Sequence, residues 1–168
     1  MTNEQIAKKI IENNRYMCIA SASQDGRAWA APVSYCFDTD LNFYFQTSID
    51  SLHVENFRFN PEISVSIYDS TLRIEDIDGI QMSGIVGEVE PCNIKSVYDL
   101  FVSHVIPEED RCRLAPPMKV FTRDGGTTLR FFQFTPSDIF KKDLSIMGIA
   151  RRTRVELHGL RNLISVSM

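Results

Sequence analysis

The segment Gln46-Thr47-Ser48-Ile49-Asp50-Ser51-Leu52-His53 sets three hydroxyls, an amide and an imidazole between the aromatic run Phe43-Tyr44-Phe45 and the sequence Asn56-Phe57-Arg58-Phe59-Asn60-Pro61. A hydroxyl-rich turn from a strand into a helix can grip an anion, above all a phosphate. The first helical turn carries unpaired N–H groups and the positive end of the helix dipole, and the Thr and Ser hydroxyls add donors. The same residues also serve as plain helix caps. His53, one turn into the helix, either joins the grip or is solvated. Near pH 7 a neutral imidazole gives a hydrogen bond but no full charge.

The elements that must position this turn follow from periodicity. Ile6, Ala7, Ile10 and Ile11 form the apolar stripe of a helix over residues 4–13. Tyr16-Met17-Cys18-Ile19-Ala20 reads as a buried strand, Asp25-Gly26 as a hairpin turn, and residues 28–37 as the return strand. Asp38-Thr39-Asp40 leads into the aromatic third strand. Asp50 or Ser51 is positioned to cap a helix that ends before Pro61. Ile63, Val65 and Ile67 alternate with polar residues in a half-buried strand, and residues 79–89 form a long strand in which Gly84 and Gly87 mark bulges or close backbone approach. Residues 93–105 carry a helical apolar face, and residues 107–117 read as a loop or broken helix. Residues 128–134 form another strand, with a short strand or turn at 139–142 after Thr135-Pro136 and a late strand over 151–158. Strands joined by hairpins rather than by strand-helix-strand crossovers predict a mainly β fold with flanking helices: an antiparallel, Greek-key-like barrel.

Composition narrows the function classes. The 168 residues, 43% hydrophobic and 24% charged, suit one globular domain, with residues 1–150 as its body and 151–168 as its C-terminal strand or tail. A net charge of −4 with no basic stripe argues against a nucleic-acid partner. No apolar run reaches bilayer length and no secretory signal core is visible, so the expectation is a cytoplasmic protein with no membrane partner. Cys18, Cys36, Cys92 and Cys112 lack paired spacing, and His53, His104 and His158 lack metal-ligand spacing. Free thiols and no metal site follow, with Cys18 and Cys36 expected as core side chains. There are no paired carboxylates and no Ser-His-Asp ordering to support hydrolysis.

The order of these pieces resembles the FMN-binding split-barrel group that includes pyridoxamine 5′-phosphate oxidase. The matching pieces are Met17 to Ser21, Asp25-Gly26, Ala31-Pro32-Val33-Ser34-Tyr35, Phe43 to Thr47, Ser51-Leu52-His53-Val54-Glu55-Asn56, Asn60-Pro61 and Gly79-Ile80-Gln81-Met82-Ser83-Gly84. Within the group, His53 in place of a usual lysine, together with Gly148-Ile149-Ala150-Arg151-Arg152, is similar to the YhbP-like branch. The resemblance implies a homodimer with two FMN sites between subunits and a possible oxidoreductase acting on a small-molecule substrate. The phosphate would lie on Gln46, Thr47, Ser48, Ser51 and His53, and the ring on the backbone of Pro32, Val33, Ser34 and Tyr35. Gln81, Arg151 and Arg152 would complete the site. The uncharged run Ala30 to Tyr35 departs from the oxidases proper, so oxidation of a vitamin B6 phosphate is not expected. Deazaflavin is an open alternative to FMN. So is a non-enzymatic, haem- or flavin-holding protein for storage or sensing, since the imidazole of His53 could ligate iron.

Overall fold

The computed structural model describes residues 1–73, 78–143 and 151–166. Helix α1 (Asn3–Asn13) starts at Thr2, which forms a reciprocal capping box with Gln5. Strands β1 (Tyr16–Ala22) and β2 (Ala28–Ser34) form the first hairpin, with Gly26 at φ +83° in its turn. Then come β3 (Cys36–Phe37), β4 (Phe43–Ser48), α2 (Leu52–Phe59), β5 (Glu62–Tyr68) and β6 (Gly79–Glu88). Helix α3 (Ile94–Val105), the short α4 (Arg111–Leu114), β7 (Leu129–Asp143), β8 (Arg151–Val155) and α5 (Leu157–Ser165) complete the chain.

The strands form one sheet in the order β2-β1-β5-β6-β7-β4-β3, with β8 paired to β7, and every pairing is antiparallel. The two ends of that order, β2 and β3, are separated in sequence by Tyr35 alone. The chain therefore steps from one sheet edge to the other, curling the sheet into a split barrel whose seam runs between β2 and β4. Those two strands touch. Inside lie Met17, Ile19, Phe43, Phe45, Val65, Ile67, Met82 and Phe134, the alternate residues of their strands. Helices α1 and α5 plug one end with Ala7, Ile11, Leu160 and Ile164. At the other end α2 inserts Val54 and Phe57, and the buried amide of Asn56 donates to the Ser21 hydroxyl of β1 at 3.0 Å. Helix α3 covers the outer face of β3, β4 and β7 through a second cluster of Tyr44, Val97, Phe101, Phe121 and Phe131.

Three differences from the periodicity have physical causes. The strand expected to break at Thr135-Pro136 continues, because the ladder slips between Ser83/Asp138 and Gly84/Pro136, leaving Ser137 as the extra residue of a β7 bulge that loosens the pairing beside a residue that cannot donate. The strand expected over 151–158 stops at Val155, and Leu157 begins helix α5, whose Leu160 and Ile164 pack against α1. Cys18, expected in the core, points to the outer face and is half-buried, whereas Cys36 is buried and its thiol is pushed up to about 12 by that burial.

Gly84 is required by close approach. A Cβ there would meet the Thr135 carbonyl oxygen at 2.2 Å, whereas one at Gly87 would meet nothing within 4 Å. Gly84→Ala is expected to destabilise the fold by about 2–4 kcal/mol and Gly87→Ala by less than about 0.5 kcal/mol, read from urea unfolding midpoints.

Candidate functional site

The end of β4 places Thr47 and Phe45 on the barrel's inner face, and Gln46 and Ser48 on the opposite one. The turn after β4 is closed by the Ser51 N–H on the Ser48 carbonyl (3.1 Å) and by the Ile49 N–H on the Thr128 carbonyl (2.9 Å). Ser51 is the N-cap of α2, yet its hydroxyl does not cap the helix; it donates to the Ser48 carbonyl at 2.7 Å. His53 then points back over the turn. Its Nε2 lies 2.8 Å from Thr47 Oγ1 and 3.1 Å from Ser51 Oγ, and the two hydroxyls are 3.4 Å apart. The imidazole is only 8% exposed and packs on Phe57 with ring centroids 5.6 Å apart. Burial lowers its pKa, so the ring is neutral near pH 7.

Thr47, Ser51 and His53 thus converge, as the sequence reading expects. Ser48 does not join them. Its hydroxyl donates to Thr128 Oγ1 at 2.9 Å and accepts the Asp50 N–H at 3.1 Å, so it is spent on the turn. Gln46 faces away from the trio, and its Oε1 is buried without a donor among the described residues. Pro32, Val33 and Ser34 lie on β2, beside β4 across the seam. The Tyr35 side chain is in the core, its hydroxyl donating to the Ile11 carbonyl at 2.7 Å, which leaves only its backbone for a ligand.

Gln81 and Arg152 are elsewhere. They line a groove of about 350 Å³ on the outer face of β1, β5, β6 and β7, together with Cys18, Ser66 and Phe140, and the Arg152 guanidinium sits 5.9 Å over the Phe140 ring. Along β7, Arg130 pairs with Thr47 and Phe140 pairs with Gln81. Ten residues of strand, a contour of about 30 Å, therefore lie between the two patches along β7. The Arg151 side chain and Gly148-Ile149-Ala150 lie outside the described residues.

One residue the sequence reading passed over belongs to this end of the barrel. Arg130, 7% exposed, sits opposite Thr47 in the β4–β7 ladder. A lone cation inside Leu129-Arg130-Phe131 was the available signal, because an arginine at a core-facing strand position is rarely buried without a task. Among the described residues no group of three His, Cys, Asp or Glu side chains could hold a metal ion, and no helix is long and apolar enough to cross a membrane.

Residues 4–105 match the family described as Pyridoxamine 5′-phosphate oxidase, and this chain belongs to that family. A UPF0306 protein of Photorhabdus laumondii is 29% identical over 89 residues, a match covering 52% of this chain and 62% of that protein's length. Among solved structures, a haem-binding protein of Mycobacterium smegmatis superposes with a TM-score of 0.69 at 11% identity, covering 96% of this chain and 61% of that one. The haem storage protein HutZ of Vibrio cholerae does so with a TM-score of 0.60 at 13% identity, covering 83% and 94%. General Stress Protein 26 of Bacillus anthracis gives 0.58 at 16% identity, covering 92% and 100%. At such identities the likeness shows the split-barrel fold alone.

The buried imidazole makes stability pH-dependent. The unfolded chain takes up a proton at the ordinary histidine pKa of about 6.5, while folded His53 resists it until lower pH. The stability this difference carries is present above about pH 6.5 and falls as pH drops toward the folded pKa. His53→Gln is expected to flatten that part of the profile, measured as urea midpoints from pH 8 to 5; an unchanged slope contradicts burial of a neutral ring.

Proposed function

We propose that this protein is a homodimeric FMN-binding member of its family and an oxidoreductase acting on a small molecule. The observation that carries the reading is the convergence of the Thr47 and Ser51 hydroxyls with His53 at the first turn of α2, in a chain whose family is named for an oxidase of a phosphorylated vitamin. Thr47, Ser51 and the α2 N-terminus would hold the phosphate, with β2 backbone and the Gln81–Arg152 groove holding the ring. Bound flavin would supply hydride and electron transfer, while the chain binds, orients and excludes water.

A distance supports the homodimer reading. The phosphate grip and the groove lie on opposite faces of the sheet, about 30 Å apart in contour along β7, so a groove supplied by a second copy is the arrangement in which both would serve one cofactor. The outer face of β2, β1, β5 and β6 suits that contact. Ala20, Pro32 and Ser64 present small side chains there, and Tyr16, Tyr68 and Ile85 are exposed on it at 65%, 58% and 54%.

Haem is the competing ligand, by likeness to the mycobacterial and vibrio proteins. Iron ligation through His53 Nε2 would break its contacts to both hydroxyls, and this favours flavin. Deazaflavin carries a comparable phosphate and would use the same grip.

FMN titration followed by flavin fluorescence is expected to show micromolar binding, weakened about tenfold by Thr47→Val and again by Ser51→Ala. Sedimentation should give a dimer. A Soret band on haem addition, with no flavin bound, would replace this reading.

A further inference from the structure

The trio of Thr47, Ser51 and His53 is uncharged near pH 7, whereas a phosphomonoester is close to a dianion, so a grip made of these groups alone lacks a counter-charge. The barrel end supplies one. Arg130 stands directly opposite Thr47 in the ladder, and directly opposed residues of an antiparallel pair project from the same face. Its main chain also adjoins the turn: Thr128 accepts the Ile49 N–H and holds the Ser48 hydroxyl.

The guanidinium is fixed but not used up. Nη1 donates to the carbonyls of Thr127 at 2.9 Å and Leu129 at 2.6 Å, which locks the side chain against its own strand. The remaining edge has no hydrogen-bond acceptor among the described residues. The Glu88 carboxylate lies 4.0 Å from Nε, an ion-pair distance too long for a hydrogen bond. Glu88 is shared with Arg123 at 3.8 Å, and its side chain is 37% exposed against 9% for Arg130. A buried, rigid cation with open donors and a loosely held, solvated counter-ion is built to exchange that counter-ion for a ligand anion.

We propose that Arg130 is the cationic partner of a phosphomonoester held at the Thr47–Ser51 turn, and that Glu88 is the carboxylate the phosphate displaces. This rests on the phosphate-grip reading above and adds to it the residue that carries the charge. His53 then acts as a neutral hydrogen-bonding group that orders the two hydroxyls.

The test titrates the full-length protein with FMN, riboflavin and inorganic phosphate, in wild type and in Arg130→Met, Arg130→Lys and Glu88→Gln. Riboflavin lacks the phosphate, so the ratio of the two flavin affinities isolates the phosphate contact. Arg130→Met is expected to lower FMN and phosphate affinity at least about tenfold and leave riboflavin unchanged, with Arg130→Lys restoring part of the loss. Glu88→Gln keeps Arg130 and its carbonyl bonds, and it should fold where Arg130→Met fails to. It is expected to tighten FMN and phosphate about threefold and leave riboflavin unchanged. Unchanged FMN-to-riboflavin ratios in Arg130→Lys and Glu88→Gln overturn the role of Arg130 while leaving flavin binding intact. Phosphate binding that depends on Arg130 in a protein that ignores both flavins discards the flavin and keeps the cation. No binding of any of the three probes discards both.

Discussion

The candidate site hangs on aromatic contacts at one barrel end. Phe45 of β4 and Phe132 of β7 stack with centroids 5.8 Å apart, and Phe57 of α2 sits edge-on to Phe45 at 6.4 Å and tilted on Phe132 at 5.9 Å. These rings fix where α2 lies, and His53, one turn earlier on the same helical face, is fixed with them. The Asn56–Ser21 hydrogen bond adds direction to a contact that is otherwise non-directional. Burial there costs a polar group much if it is unpaired, so this pair tolerates little drift of the helix. The hydroxyl–imidazole trio needs that rigidity, since its distances span only 2.8 to 3.4 Å.

The sheet's outer face divides into two halves with different fates. Over β3, β4 and β7 the side chains are Tyr44 and Phe131, large enough to recruit α3 and close a second core. Over β1, β5 and β6 the middle of the face carries Cys18, Ala20, Ser64, Ser66 and Ser83, with Tyr16, Tyr68 and Ile85 exposed nearer the strand ends and no helix among the described residues covering it. Small side chains let another flat surface approach closely, and a self-complementary face is what two-fold pairing needs. The division comes from which strands carry bulk on their outward positions, so one sheet packs its own helix on one side and offers a surface on the other.

Much of this architecture was legible in the sequence because it rests on period-two alternation and turn chemistry. Ile63, Val65 and Ile67 announced β5, Asp25-Gly26 announced the first hairpin, and Asn60-Pro61 announced the end of α2. What escaped depends on the neighbour across the ladder. Pro136 reads as a strand breaker until the β7 bulge at Ser137 is placed beside it, and Leu157 to Ser165 shows its helical face only once α1 is there to receive Leu160. The site divides the same way. Thr47, Ser51 and His53 lie within seven residues of one another and meet on one side of the turn, whereas strand alternation turns Gln46 and Ser48 to the other face. Arg130 lies 83 residues downstream of Thr47 by number (130 minus 47), and only the register of β4 on β7 makes them neighbours.

That register also sets where the lining of this barrel end changes from apolar to polar. Inner-face positions on β4 and β7 run Phe43/Phe134, Phe45/Phe132 and then Thr47/Arg130, so a single step along the ladder takes the lining from rings to donors. There Arg130 turns back to the Thr127 and Leu129 carbonyls, which keeps a nearly buried guanidinium hydrogen-bonded without a fully desolvated carboxylate. The neighbouring histidine could not do this work, because the burial that fixes its ring also holds it neutral. An arginine stays charged wherever it is buried, so the fold assigns orientation to the imidazole and charge to the guanidinium.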